Sequence, residues 1–286
     1  MMNATTKLST AAAFLLAISA IGLDVAFLGD RGYYLVGMVI VVAAILPFVV
    51  SFEARRPHAR ELVVVAVLVT IGVVGRAAFF MVPQFKPVAA IVIIAAVTLG
   101  PQTGFLVGAL TAFLSNFVMG QGPWTPWQML AFGLIGFLAG LLFSHRFEHV
   151  GVYEDVRSRR RSEVRQLAAL CVFGAVSVQV LYGLIVDTGS LLMFASYGVS
   201  WQGWLSLLAS GAPFNAMHAA STVIFLLILA HPMIEKIQRV KVKYGLMQPD
   251  PVDVPLTDED LILLQTTSAD LDVTEADTHE LVGLHA

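Results

Sequence analysis

A handful of polar side chains interrupt the long apolar stretches of this 286-residue chain, and their types hold ligands rather than break bonds. Arg76 offers a planar fork of N–H donors suited to a carboxylate or phosphate. Asn116 follows Ser115, while Asn215 and His218 stand three apart and so share a helix face. Gln121, Trp124 and Trp127 lie in the run Gly120-Gln121-Gly122-Pro123-Trp124-Thr125-Pro126-Trp127-Gln128, and Phe85 and Lys86 close Pro83-Gln84-Phe85-Lys86. Side-chain amides pair with ligand amides, and indoles add apolar area with one N–H donor; the set suits a large ligand of mixed polarity. Catalysis is the weaker reading, because an enzyme needs a titratable pair at its site and only His218 and Asp187 are on offer. The chain has no G-x-x-x-x-G-K-S/T phosphate loop, H-E-x-x-H, G-x-S-x-G, haem motif or Cys/His cluster. No catalytic residue, metal ligand or permanently bound cofactor is therefore assigned, and no nucleic-acid partner is implied.

The elements that must position these residues are membrane spans. Hydrophobic residues make up 57% of the chain, charged residues 13%, and mean hydropathy is +0.80. A water-facing surface cannot be made from that composition. Eight apolar segments can be read, at roughly 10–28, 33–51, 61–83, 87–100, 103–119, 127–143, 165–187 and 207–231, which predicts an all-α polytopic membrane protein. The fourth is short for a full crossing and turns into the fifth through Gly100-Pro101-Gln102-Thr103-Gly104. Residues 7–29 have a second reading as a signal peptide, although the stretch is long and lacks a clean small-x-small site. Cys171 has no second cysteine to pair with, so redox compartment is not readable.

Charge sets the orientation. The net charge of −3 conceals an acidic tail: residues 249–286 hold ten of the twenty acids and no Lys or Arg, which reads as disordered or weakly helical. With the N-terminus inside, the inner side collects 14 basic residues, among them Arg55, Arg56, Arg60, Arg146, Arg157 and Lys236, and the outer side only Arg31 and Lys86. Cytoplasmic loops carry such an excess, so both termini are expected inside the plasma membrane of a multi-pass protein.

All four tryptophans then fall on the outer side, in the Trp124/Trp127 loop and in Trp201-Gln202-Gly203-Trp204. They read either as an aromatic belt at the interface or as lining for a ligand pocket; the inner side has none, which favours the pocket. Arg76 lies about two turns from the outer end of its span and needs protein or water around it. A structural pair with Asp24 or Asp187 and a contact to ligand are both open. Arg76, Asn116, Asn215 and His218 sit at one depth, as residues of a pocket open to the outside would.

The stretch from Glu61 to Gly245 resembles the membrane-embedded substrate-binding S components of energy-coupling factor (ECF) transporters. The resemblance is carried by VGRAAFFMVPQFKPVAAIVIIAAVTLGPQTGFLVGALTAFLSNFVMGQGPWTPWQMLAFGLIGFLAG at 74–140 and PFNAMHAASTVIFLLILAHPMIEKIQRVKVKYGL at 213–246. Within that family the chain is most similar to the cobalamin or corrinoid branch. The resemblance implies a six-helix core over 61–246, two additional N-terminal helices in 1–52 and a tail from 247. It implies a vitamin ligand taken from outside, lipid contact, and as partners a transmembrane coupling protein and two cytoplasmic ATPases that use the ATP. Members dock through a small-xxx-small motif on the first core helix; the nearest match here is Ala66-xxx-Thr70, followed by Gly72 and Gly75, with Gly108 as a further small residue on the fifth segment. The competing reading is an integral-membrane sensor or enzyme with a signalling tail.

Overall fold

The computed structural model describes residues 33–54, 59–148, 156–193 and 200–244, all in one compact unit, Met1–Leu246. The first apolar segment with Asp24, and the acidic tail, lie outside the described residues. Among the described residues every regular element is helical: α1 (Tyr33–Glu53), α2 (Ala59–Ala78), α3 (Val88–Leu99), α4 (Pro101–Met119), α5 (Thr125–Glu148), α6 (Val156–Val176), α7 (Gly183–Met193) and α8 (Trp201–Tyr244). A π-helical segment, Ser177–Tyr182, joins α6 to α7 without a break. Among the described residues, five stretches are long and apolar enough to cross a bilayer: Ala59–Ala78, Pro101–Met119, Thr125–Ser144, Glu163–Met193 and Trp201–Tyr244.

Runs such as Val63-Val64-Val65 in α2 would favour strands in water. In hydrocarbon the backbone must satisfy itself within the segment, and the helix is the open-ended way to do so. The third apolar segment nevertheless stops at Ala78, five residues before its expected end, and residues 79–84 turn tightly. The last segment extends well past both expected ends, because a helix leaving the bilayer no longer needs apolar residues to persist.

α3 is the axis of the bundle. Each of its twelve residues is buried, and it packs against α5, α4, α8 and α2. It spans about 18 Å, short of the ~30 Å hydrocarbon core. Protein on all sides makes that length tolerable. Gly100 turns the chain from α3 into α4 at φ 90°, a conformation costly for residues with a Cβ, and Pro101 opens α4 where no N–H is needed. α4 then lies directly on α5: a Cβ at Gly104 would reach the carbonyl of Gly136, and one at Gly108 would collide with the Phe132 carbonyl. α1 closes over α4 and α5, stacking Phe48 on Phe105 at 4.0 Å and 7°.

Candidate functional site

α2 and α4 run the same way, which brings Arg76 in the last turn of α2 beside Ser115 and Asn116 near the end of α4. Arg76 Nη1 donates to Ser115 Oγ at 2.6 Å and Asn116 Oδ1 at 3.0 Å, and Nη2 donates to Gln128 Oε1 at 3.4 Å. Asn116 Nδ2 in turn donates to Thr125 Oγ1 and Gln128 Oε1, both at 2.9 Å. The Thr125 hydroxyl donates to Gln121 Oε1 at 2.9 Å, and Gln121 Nε2 donates to the Phe113 carbonyl at 2.9 Å. Arg76, Ser115, Asn116 and Thr125 are buried, so the network joins α2, α4 and α5 away from solvent. All three Arg76 bonds go to neutral oxygens, and among the described residues no carboxylate bonds to it. Of its two expected acidic partners, Asp187 accepts instead from Asn215 Nδ2 at 3.3 Å, and Asp24 lies outside the described residues.

An aromatic wall adjoins this network. Tyr182 stands edge-on to His218 with ring centroids 5.0 Å apart, and Phe132 lies 4.9 Å from Tyr182 and 5.8 Å from His218. The π-helical segment delivers Tyr182 here: its wider turn shifts the register of the side chains that follow. Tyr182 also bonds to the Gln128 side chain, linking wall and network. His218 is 3% exposed, and among the described residues neither ring nitrogen has a hydrogen-bond partner.

The loop before α3 is tied to α8 one turn from His218. Lys86 N–H donates to Ser221 Oγ at 3.0 Å, and the Ser221 hydroxyl donates to the Lys86 carbonyl at 2.8 Å. Lys86 Nζ bonds only to the Val82 carbonyl, at 3.0 Å, within its own loop. Burial, and after it the charge of Arg76, lower the Lys86 pKa below its ordinary value.

The expected residues therefore divide. Arg76, Asn116 and Gln121 share one network, His218 stands beside it, and Asn215 pairs with Asp187 where Gly183 leaves room for its amide. Phe85 belongs to a packing cluster with Phe79 and Phe225, at 5.6 and 5.3 Å. Trp127 is core, buried with Val41, Ile45, Phe105 and Ala109, although its Nε1 has no partner. Trp124 is partly exposed over Gly122, and Trp204 Nε1 donates to Thr188 Oγ1 at 3.0 Å beside Trp201.

The small residues expected at a docking face lie in different surroundings. Ala66 and Thr70 are exposed on α2, the Thr70 hydroxyl turned back on the Ala66 carbonyl at 2.8 Å. Gly72 instead packs on Thr111, and Gly108 on the α5 backbone, so both serve contacts within the chain. Gln128, Thr125 and Tyr182 join the network without being expected from the sequence. A polar amide one residue inside an apolar span was a usable signal for Gln128; nothing in the sequence marks the π-helical register that turns Tyr182 inward.

A family profile described as "ECF transporter, substrate-specific component" matches residues 60–230, which include Arg76, Asn116, Gln128, Tyr182 and His218. Among curated proteins, a UPF0397 protein of Aliivibrio salmonicida is 30% identical over 103 residues, 34% of this chain and 56% of the relative. UPF0397 proteins of Vibrio atlanticus and Aliivibrio fischeri are 33% and 32% identical over 88 residues, 29% of this chain and 48% of each relative. The chain thus spans about half the length of the curated relatives it matches. No solved structure matches it significantly.

Proposed function

The chain belongs to the family of ECF transporter substrate-specific components, and on that premise we propose that it captures a vitamin-like molecule at the outer face for uptake driven by partner subunits. The partners in this reading are a transmembrane coupling protein and two cytoplasmic ATPases, which fits a chain without a phosphate loop of its own. Both termini face the cytoplasm in this reading, and the Arg76 end of the bundle faces outward, as the distribution of basic residues favours.

The observation that carries the proposal is the buried polar assembly of Arg76, Asn116, Gln128 and Tyr182, set beside a His218 ring with no partner. Isolated polar groups inside a membrane bundle are costly and mark a substrate path or a relay. A relay needs successive titratable groups, and amides and hydroxyls dominate here, so binding is the better reading.

Two observations bear on ligand size. The partly exposed indoles Trp124, Trp201 and Trp204 favour the corrinoid reading, because a corrinoid needs broad apolar area at the mouth. The burial of Arg76, Asn116 and His218 favours a smaller vitamin or precursor that the bundle can enclose, and we take this second reading as the better supported.

The test has two arms. Co-purification with a coupling protein and paired ATPases examines the assembly, and titration of the purified chain with cyanocobalamin and smaller vitamins, followed by tryptophan fluorescence, examines the ligand. Ion-driven uptake by the chain alone in liposomes would overturn the proposal.

A further inference from the structure

The substrate-binding reading leaves the chemical class of the ligand open, and two features of the site narrow it. The first is the edge of Arg76 that no described residue uses. Both Nη1 bonds and one Nη2 bond point at Ser115, Asn116 and Gln128. Of the five N–H groups, Nε–H and one on Nη2 remain. These two form the side-on edge of a guanidinium, whose spacing matches the two oxygens of a carboxylate. Arg76 is buried and bonds to no carboxylate among the described residues, so a single negative charge on the ligand balances its own.

The second feature is His218, 3% exposed between Tyr182 and Phe132 with both nitrogens unpartnered. Uncharged imidazole has one donor and one acceptor, and a buried pair left unmade is expensive. A ring edge presenting an acceptor beside a donor would satisfy both, against aromatic walls that suit a flat molecule.

We infer, building on the substrate-binding reading, that the ligand is a compact organic monoanion: its carboxylate takes the Nε–Nη2 edge of Arg76, and its planar ring presents a donor and an acceptor to His218. This binding mode makes Arg76 the determinant of charge selectivity and His218 the reader of the ring. Asn116 and Gln128 are positioning residues that hold the guanidinium with its free edge toward the ligand.

Matched acid and amide probes isolate the charge without changing shape. The full chain in nanodiscs is titrated calorimetrically with biotin and biotinamide, orotate and orotamide, and with cationic thiamine and cyanocobalamin as contrasts. At least one acid is expected to bind, at least tenfold more tightly than its own amide. Arg76→Gln should level the pair, and Arg76→Lys, which keeps the charge but loses the fork, should fall between. His218→Phe should weaken acid and amide alike. The wild-type acid–amide comparison needs no variant to fold. An amide that binds as well as its acid, or thiamine or cyanocobalamin binding with affinity unchanged in Arg76→Gln, overturns the inference and leaves the substrate-binding reading standing. Failure of all six probes also overturns it, while co-purification with the coupling subunits decides the broader reading separately.

Discussion

Lys86 and Ser221, 135 residues apart, hold each other by two hydrogen bonds: the Lys86 N–H reaches the Ser221 oxygen at 3.0 Å and the Ser221 hydroxyl reaches the Lys86 carbonyl at 2.8 Å. One side chain thus pairs both main-chain groups of a loop residue and pins the loop to α8, one turn beyond His218. The loop runs from the Arg76 helix to the fully buried α3, so the clamp ties both elements to α8.

Ser221→Ala should release this loop. Two backbone groups lose their partner, at roughly 1–3 kcal/mol each if they stay buried and less if water reaches them. The expected result is a lowered Tm together with faster ligand dissociation, measured by thermal unfolding and stopped-flow fluorescence. A fall in Tm with an unchanged dissociation rate would mean the clamp serves stability alone.

Asn116→Leu should reduce both binding and stability. Asn116 accepts from Arg76 and donates to Thr125 and Gln128, so leucine leaves several buried groups unsatisfied. Affinity should fall on the order of five- to 150-fold if one group costs about 1–3 kcal/mol. Read from the sequence alone, this substitution would be expected to spare expression; the network makes a lower yield the expectation. Lys86→Ala should cost much less, because its ammonium bonds only within its own loop. Calorimetry on both variants checks the ranking.

Gly108→Leu and Ala66→Leu should fail in different ways. Gly108 faces the α5 backbone, and a side chain there forces two helices apart, so folded yield should collapse. Ala66 is exposed on α2, so leucine should leave folding and ligand binding intact and weaken only association with a coupling partner. Size-exclusion profiles and pull-downs separate the outcomes; a monodisperse, ligand-binding Gly108→Leu protein would contradict the packing.

Orientation can be tested at two well-exposed side chains at opposite ends of the bundle, Met81 at 85% and Val242 at 83% exposure. With Cys171→Ser as background, single cysteines at these positions should react with an impermeant maleimide from opposite sides, Met81 from outside. Labelling from one side would break the charge-based topology.

The spans were legible because bilayer thickness writes itself into run length. Their ends were less so: Pro83 marked a stop, yet α2 had already ended at Ala78, and α8 continues through Lys241 and Lys243, where hydropathy no longer reports on helix. Arg76 and Asn116, grouped in the sequence, do bond to each other. Which partner faces which side chain was not legible. Gly104 and Gly108 advertise close packing, but spacing alone cannot distinguish α5 of the same chain from another protein. The packing of Phe85 on Phe79 and of Trp127 in the core was not readable either, because residue type alone does not say which surface a ring meets. Tyr182 was invisible because its direction depends on a π-helical turn that apolar periodicity does not encode.

The complete enclosure of α3 has a consequence for where this protein can work. A helix that touches no lipid has no hydrophobic length to match, so changes in acyl-chain length or sterol content act on the surrounding helices and not on the axis. The loop clamped at Ser221 is anchored to that axis through Pro87 and Val88. The outer helices α2, α4 and α8 carry Arg76, Asn116 and His218, so a thinner or thicker membrane acts on the site by tilting them against an axis that keeps its place.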